Sequence, residues 1–225
     1  MLPSTLLQLM SYGAFASAHF HVLYPEWRGD SLELETASQW IWPCANVSET
    51  TNNTRTPWPT TGGSITINGS HEWAFTYVNL ALGSNVTNFN ISLVNDFNAT
   101  GAGVLCLKDN VHAALEEGLT ASNITGGTDA LDGVDASLQV IQIGHTGSAL
   151  YNCMDITFSK DAKVLDDEQC KNGTGVGGTA IGASEAQEES PQPSASSHPG
   201  AAAGVKPFVG SAVLATVVVM AVALL

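Results

Sequence analysis

The sequence predicts an all-β fold, an antiparallel β-sandwich with Greek-key connections. Three observations support this prediction: apolar residues recur with a period of two, turn signals separate the resulting segments at short intervals, and one stretch alone has helical character. That helical stretch is short and runs from about Val111 to Leu119. A single domain built from such strands is long enough to bury a sizeable core.

The predicted strands follow one another in chain order, and each alternates large apolar side chains with other residues. They comprise Ile65 and Ile67; Trp73, Phe75 and Tyr77 interleaved with Ala74, Thr76 and Val78; Phe89, Ile91 and Leu93; and Leu138 and Val140 against Ile141 and Ile143. Turn segments lie between them, at residues 61–63, 82–85, 100–101, 124–127, 132–133 and 144–147. This spacing is typical of antiparallel strands joined by short loops.

Both ends of the chain carry sorting signals. Residues 1–18 hold no charged side chain and end in Ala16-Ser17-Ala18, the small-x-small pattern of signal peptidase, so we predict a cleaved signal peptide. Residues 208–225 are an apolar run preceded by a short spacer and small residues, as in a glycosylphosphatidylinositol (GPI) attachment signal. We expect this tail to be removed, with Ser197 and Gly200 as candidate attachment sites; a tail-anchored helix is the alternative.

The part between the two signals divides into two segments. Residues 19–170 have the composition of one folded domain. Residues 171–207 are rich in Gly, Ser, Ala, Pro and Glu and have almost no large apolar residue, which predicts a disordered stalk. The expected location is the extracellular face of the cell membrane, with the cell wall as a second possibility.

Several features fit an exported protein. The chain has four cysteines, which predicts two disulfides, and of the three possible pairings we favour Cys44 with Cys153 and Cys106 with Cys170. Asn-x-Ser/Thr acceptors for N-linked glycans occur at Asn46, Asn52, Asn68, Asn85, Asn90, Asn98, Asn123 and Asn172. The net charge of −14, with only seven Lys plus Arg, argues against nucleic acid as a partner and makes cations more plausible ones.

Cleavage after Ala18 would make His19 the first residue, with its α-amine and imidazole able to bind one metal ion together. A second histidine from a rigid element would complete a planar set of three nitrogens. Cu(II) prefers such tetragonal nitrogen donors and lies at the peak of the Irving–Williams order. His71 is the best-placed second histidine because it precedes the strand that begins at Trp73.

Other histidines are weaker candidates for this site. His112 begins the predicted helix, His145 lies in a glycine loop and His198 belongs to the stalk. His21, at the third position of the mature chain, offers a competing copper site through deprotonated backbone amides. That site requires a flexible terminus, whereas residues 20–24 have the pattern of a strand whose amides are already hydrogen-bonded.

Four motifs together carry a family resemblance. They are His19-Phe20-x-x-x-Tyr24-Pro25-x-x-Arg28-Gly29; Pro43-Cys44; Trp58-Pro59-x-x-Gly62-Gly63, followed by a strand and His71; and Leu150-Tyr151-x-Cys153-x-Asp155-Ile156-Thr157-Phe158. The combination resembles fungal copper proteins that look like lytic polysaccharide monooxygenases, of the copper acquisition factor type. The resemblance covers residues 19 to about 158 and implies an immunoglobulin/fibronectin III-like β-sandwich.

The resemblance also implies a ligand set and a function. The ligands for one Cu(II) ion would be His19, His71 and the carboxylate of Asp155. A carboxylate in the position that oxygen would need closes the site, which favours copper acquisition or homeostasis over catalysis. The alternative is a copper-dependent enzyme that cleaves cell-wall polysaccharide. Expected partners are the copper ion, the plasma membrane through the GPI lipid, and a copper transporter or cell-wall components, with the protein as a monomer.

Overall fold

The computed structural model describes residues 19–50, 54–109 and 111–181. Nine strands, one α-helix and one short 3-10 helix make up this part of the chain. In chain order they are β1 (Phe20–Tyr24), β2 (Thr56–Pro59), β3 (Ile65–Gly69), β4 (Trp73–Leu82), β5 (Ile91–Thr100), β6 (Gly103–Leu107), α1 (Val111–Ala121), the 3-10 helix (Gly127–Leu131), β7 (Asp135–Ile143), β8 (Ala149–Ser159) and β9 (Gly177–Ala180). The predicted all-β class and the single short helix are confirmed.

The strands form two sheets with the core between them. The smaller sheet has the order β1-β3-β6 and the larger one β2-β8-β7-β4-β5-β9. Buried apolar residues of the small sheet, such as Phe20 and Ile67, belong to the same core cluster as Val78 and Leu138 of the large sheet. Because each strand turns its alternate side chains inward, the period of two in the sequence becomes the β-sandwich that it predicts.

The pairing departs from a purely antiparallel pattern at one edge. Strand β2 runs parallel to β8, with Trp58 opposite Phe158, while the other neighbouring strands are antiparallel. Strand β2 contains Pro57 and Pro59, which lack an N–H donor and are therefore tolerated at a sheet edge. Strand β5 begins at Ile91, so Phe89, predicted within it, lies just outside.

Two disulfides join the sandwich, and both follow the favoured pairing. Cys44 is bonded to Cys153 and Cys106 to Cys170. The first bridge ties the long segment between β1 and β2 to the middle of β8. The second ties the residues after β8 to β6 in the small sheet.

The predicted start of the stalk at residue 171 is corrected by the structure. The Asn172 side-chain oxygen accepts a hydrogen bond from Cys106 N, and residues 177–180 pair with β5 as β9. Gly178 makes this close pairing possible, because a Cβ there would lie 2.4 Å from Asn98 O and from the Phe97 ring. The glycines that suggest a flexible linker thus allow an edge strand to approach closely.

Several predictions concern residues outside the described part of the chain. These are the signal peptide at 1–18, the sequon at Asn52, the remainder of the stalk, His198, the attachment candidates Ser197 and Gly200, and the apolar tail at 208–225. Among the described residues, no helix has the length and apolarity required to cross a bilayer.

Candidate metal site

His19 lies directly before β1, opposite the residues that connect β3 to β4. Phe20 pairs with Gly69, so the main chain of His19 faces Ser70. The His19 nitrogen donates to Ser70 Oγ at 2.9 Å, and Ser70 returns two bonds to His19 O, one from its amide at 3.0 Å and one from its hydroxyl at 2.8 Å. Since His71 follows Ser70, this contact holds His19 beside the second predicted ligand.

His71 is half-buried at the end of the large sheet. Its ring packs on Gly144, the residue after β7, so closely that a Cβ at position 144 would lie 2.6 Å from both Cε1 and Nδ1 of the ring. The Nε2 atom is buried and has no hydrogen-bond partner among the residues described. A buried ring nitrogen without a partner is costly unless something else binds it, and a metal ion is one group that does.

The electrostatic surroundings of His71 suit a ligand. Burial lowers the pKa of His71, and the charges of His145 and His19 lower it further. The imidazole therefore stays neutral to a lower pH than an exposed histidine, and the neutral form is the one that binds metals.

Asp155, the third predicted ligand, lies in a buried ionic cluster with Arg28 and Glu49. Its carboxylate accepts hydrogen bonds from Arg28 Nε at 3.1 Å, Thr50 N at 2.8 Å, Thr50 Oγ1 at 2.9 Å and Ser137 Oγ at 2.6 Å, and its side chain is fully buried. Burial alone would raise the pKa of Asp155, but the hydrogen bonds from Ser137 and Thr50 and the charge of Arg28 outweigh it and hold that pKa below its usual value.

The register of the large sheet separates Asp155 from His71, whose ring packs on the residue after β7. Asp155 pairs with Ser137, whereas the histidine end of strand β7 is at Ile143, six residues further along. Six residues of strand extend over about 20 Å. Among the described residues, moreover, no three His, Cys, Asp or Glu side chains already form a metal-binding group. The predicted role of Asp155 as a ligand does not fit this placement, because its buried carboxylate is already bonded to Arg28, Thr50 and Ser137.

The competing copper site at His21 also fits poorly. His21 lies within β1 opposite Asn68, and the Phe20 amide that this site would deprotonate donates to Gln39 Oε1 at 3.2 Å. The His21 ring packs against Trp27, with ring centroids 5.3 Å apart. The expectation that the amides of residues 20–24 are engaged in a strand is confirmed for this segment.

The remaining described histidines differ in their placement. His112 begins α1, where its Nδ1 lies 2.8 Å from Thr61 O and its Nε2 lies 3.6 Å from Glu116. His145 is exposed in the loop between β7 and β8, and its ring contacts Trp73 edge-on at 4.6 Å between centroids. His145 is therefore part of the same end of the molecule as His71.

Gln39, a residue that the sequence patterns do not single out, positions the start of β1. Gln39 is buried, and its side chain accepts from Phe20 N and donates to Phe20 O at 2.7 Å, while its carbonyl accepts from Tyr151 N at 2.7 Å. Gln39 thus fixes the start of β1, and with it the position of His19. It lies in a segment without periodicity, where no pattern marks a polar residue as buried.

The sequons differ in accessibility. Among the described acceptors, Asn98 is half-buried within β5, and its side-chain oxygen has no partner among the residues described. The others are exposed: Asn46, Asn68, Asn85, Asn90, Asn123 and Asn172. Asn68 lies on β3, three residues before His71.

The β-sandwich fold and the sequence together place the chain in the lytic polysaccharide monooxygenase-like class. The chain is 34% identical over 200 residues to the lytic polysaccharide monooxygenase-like protein ham-7 of Neurospora crassa, covering 79% of this chain and 81% of that protein. It is 30% identical to the X325 protein of the same class from Aspergillus fumigatus, over 72% of this chain and 74% of the relative. A second X325 protein, from Hypocrea jecorina, is 27% identical over 93% and 97% of the two chains.

Residues 17–175 match the domain family described as copper acquisition factor BIM1-like. This match covers well over half of the chain, and the protein therefore belongs to that family. The resemblance drawn from the four sequence motifs is confirmed, and with it a copper-related role.

Proposed function

We propose that the protein binds one Cu(II) ion through the α-amine and imidazole of His19 and the imidazole of His71, and that it serves copper acquisition or homeostasis without catalytic turnover. The observation that carries this proposal is the contact of Ser70 with the main chain of His19. Ser70 directly precedes His71, whose own buried Nε2 has no partner among the described residues, and this supports a shared site.

Cleavage after Ala18 is the step that makes His19 competent. In a longer chain the nitrogen of His19 is an amide, a poor ligand, whereas at a new terminus it is an amine with a lone pair. The amine and the ring of one residue then bind the same ion, and His71 supplies a third nitrogen. Copper is the metal that such a set favours among first-row divalent ions.

Two features favour binding over oxidative catalysis. The family to which the chain belongs is described as one of copper acquisition factors. In addition, the exposed Asn68 stands three residues before His71, and a glycan at this position would obstruct the approach of a flat polysaccharide. The Asp155 carboxylate does not contribute to this preference, because it is buried and bonded to Arg28.

The cellular setting is part of the proposal. We place the domain at the extracellular face of the cell membrane, held by a GPI anchor at Ser197 or Gly200, with glycans on exposed sequons. The protein would act as a monomer and exchange copper with a transporter or with cell-wall components. Its acidic charge of −14 suits cation capture in this position.

A metal titration with defined termini tests the proposal. The domain that starts at His19 should bind one equivalent of Cu(II) tightly, with nitrogen couplings in the electron paramagnetic resonance spectrum. A version with one added N-terminal residue should lose tight binding, and so should His71→Ala, whereas His112→Ala serves as the matched control and should bind normally. Equal affinity in all four proteins would refute the site.

The oxidative enzyme remains a second candidate because of one surface feature. Trp40 and Trp42 are 48% and 58% exposed in the segment whose Gln39 contacts Phe20, so they could stack on sugar rings near His19. Incubation of the copper-loaded protein with a reductant, an oxidant and cell-wall glucan or chitin tests this function. Oxidised oligosaccharides would establish it, and their absence alongside tight copper binding would favour acquisition.

A further inference from the structure

The histidine site lacks its fourth in-plane donor once Asp155 is excluded, and a nearby side chain can supply it. We propose that His145 is a third imidazole ligand of the copper site, so that the ion is held by His19, His71 and His145. This inference rests on the proposed function and extends it, because nothing else so far assigns a role to His145.

The loop that carries His145 is built against His71. Strand β7 ends at Ile143 and β8 begins at Ala149, and these two residues pair across the hairpin. Within the loop, Gly147 N donates to Gly144 O at 3.0 Å, which closes a turn with His145 at its first corner. Gly144, directly before His145, is the residue on which the His71 ring packs.

The side chain of His145 is available for binding. It is exposed, and its recorded contact is the edge-on packing against Trp73, two residues after His71. No hydrogen bond to its ring nitrogens is found among the described residues. The three imidazoles do not already form a metal-binding group among the described residues, so the proposal requires the His145 ring to leave Trp73 and turn towards His71 by a change of side-chain rotamer.

A fourth nitrogen has a clear chemical consequence. Cu(II) prefers four in-plane donors, and three nitrogens leave one position for water or oxygen. An imidazole in this position would retain the ion and limit access of oxygen, the role that the resemblance gave to the Asp155 carboxylate. The proposal thus explains how the protein can hold copper without using Asp155.

The experiment counts imidazole ligands in the authentic domain that starts at His19. Pulsed electron paramagnetic resonance of the Cu(II) complex should reveal three coordinated imidazoles in the native protein and two in His145→Asn. The affinity of His145→Asn for Cu(II), measured by competition with a chelator, should fall by about tenfold or more. His112→Asn, an exposed histidine on α1, is the control and should match the native protein in both measurements.

The outcomes separate this inference from the proposed function. If the native domain and His145→Asn both have two coordinated imidazoles and equal affinity, while His71→Asn loses binding, the inference fails and the proposed function stands. If the native domain takes up no Cu(II), both fail. A melting curve of His145→Asn that matches the native one attributes the change to lost coordination and not to misfolding.

Discussion

Replacement of Asp155 by alanine separates a structural role from a ligand role. The change removes five close contacts of one carboxylate, which come from Arg28, Thr50 and Ser137. The Arg28 side chain, which is only 5% exposed, then lacks its main partner. Breaking a buried ion pair by removing one partner costs about 3–5 kcal/mol. Arg28 keeps Glu49 at 3.2 Å, so we expect the lower end of this range, about 3 kcal/mol.

Urea denaturation measures this loss. With a slope of about 2 kcal/mol per molar, the midpoint of Asp155→Ala should fall by about 1.5 M, while the affinity for Cu(II) stays at the native value. Ser137→Ala is a milder second variant that removes one hydrogen bond to the same carboxylate and should cost about 1 kcal/mol. A tenfold or larger loss of copper affinity in Asp155→Ala, with unchanged unfolding, would refute the placement of Asp155 away from the metal.

Three further predictions follow from the packing and the charges. In Gly144→Ala the new Cβ displaces the His71 ring, so the affinity for copper, measured by chelator competition, should fall about tenfold with little change in melting temperature. Gly177→Ala is the control: its Cβ would have open space around it, and both the copper affinity and the melting temperature should stay at the native values. The pKa of Asp155 is lower in the folded than in the unfolded state, so the contribution of Asp155 to stability is present above about pH 4 and is lost as the pH falls through the folded pKa. Denaturation curves of Asp155→Asn at several pH values should therefore show a weaker acid dependence than those of the native protein. Mass mapping of glycopeptides should find Asn98 unoccupied, because it is half-buried between two strands, and a fully occupied Asn98 would contradict this burial.

Much of the fold could be read from local patterns. The alternation from Trp73 to Val78 and from Leu138 to Ile143 gives two central strands, because a period of two is the direct consequence of a sheet with a buried face. Strand β9 could not be predicted in this way. It consists of Gly177, Gly178, Thr179 and Ala180, and its pairing depends on the close approach of backbones, which leaves no apolar signal.

The site was only partly accessible to sequence reasoning. His71 was identified because a turn and a strand adjoin it, which are local features. The separation of Asp155 from His71 depends on the register of β7 against β8, and register is set by the whole sheet. The sequence places His145 only in a glycine loop, because the contact of Gly144 with the His71 ring exists only in the folded hairpin.

The bridge between Cys44 and Cys153 links disulfide formation to the position of the amino terminus. Gln39, Trp40 and Trp42 belong to the segment that this bridge joins to β8. The Gln39 side chain is hydrogen-bonded to Phe20, the residue after His19. A chain kept under reducing conditions would lose this fastening, and its amino terminus would fray even with the correct first residue. Under the proposed function, oxidation to form this bridge and cleavage after Ala18 would both have to precede copper binding.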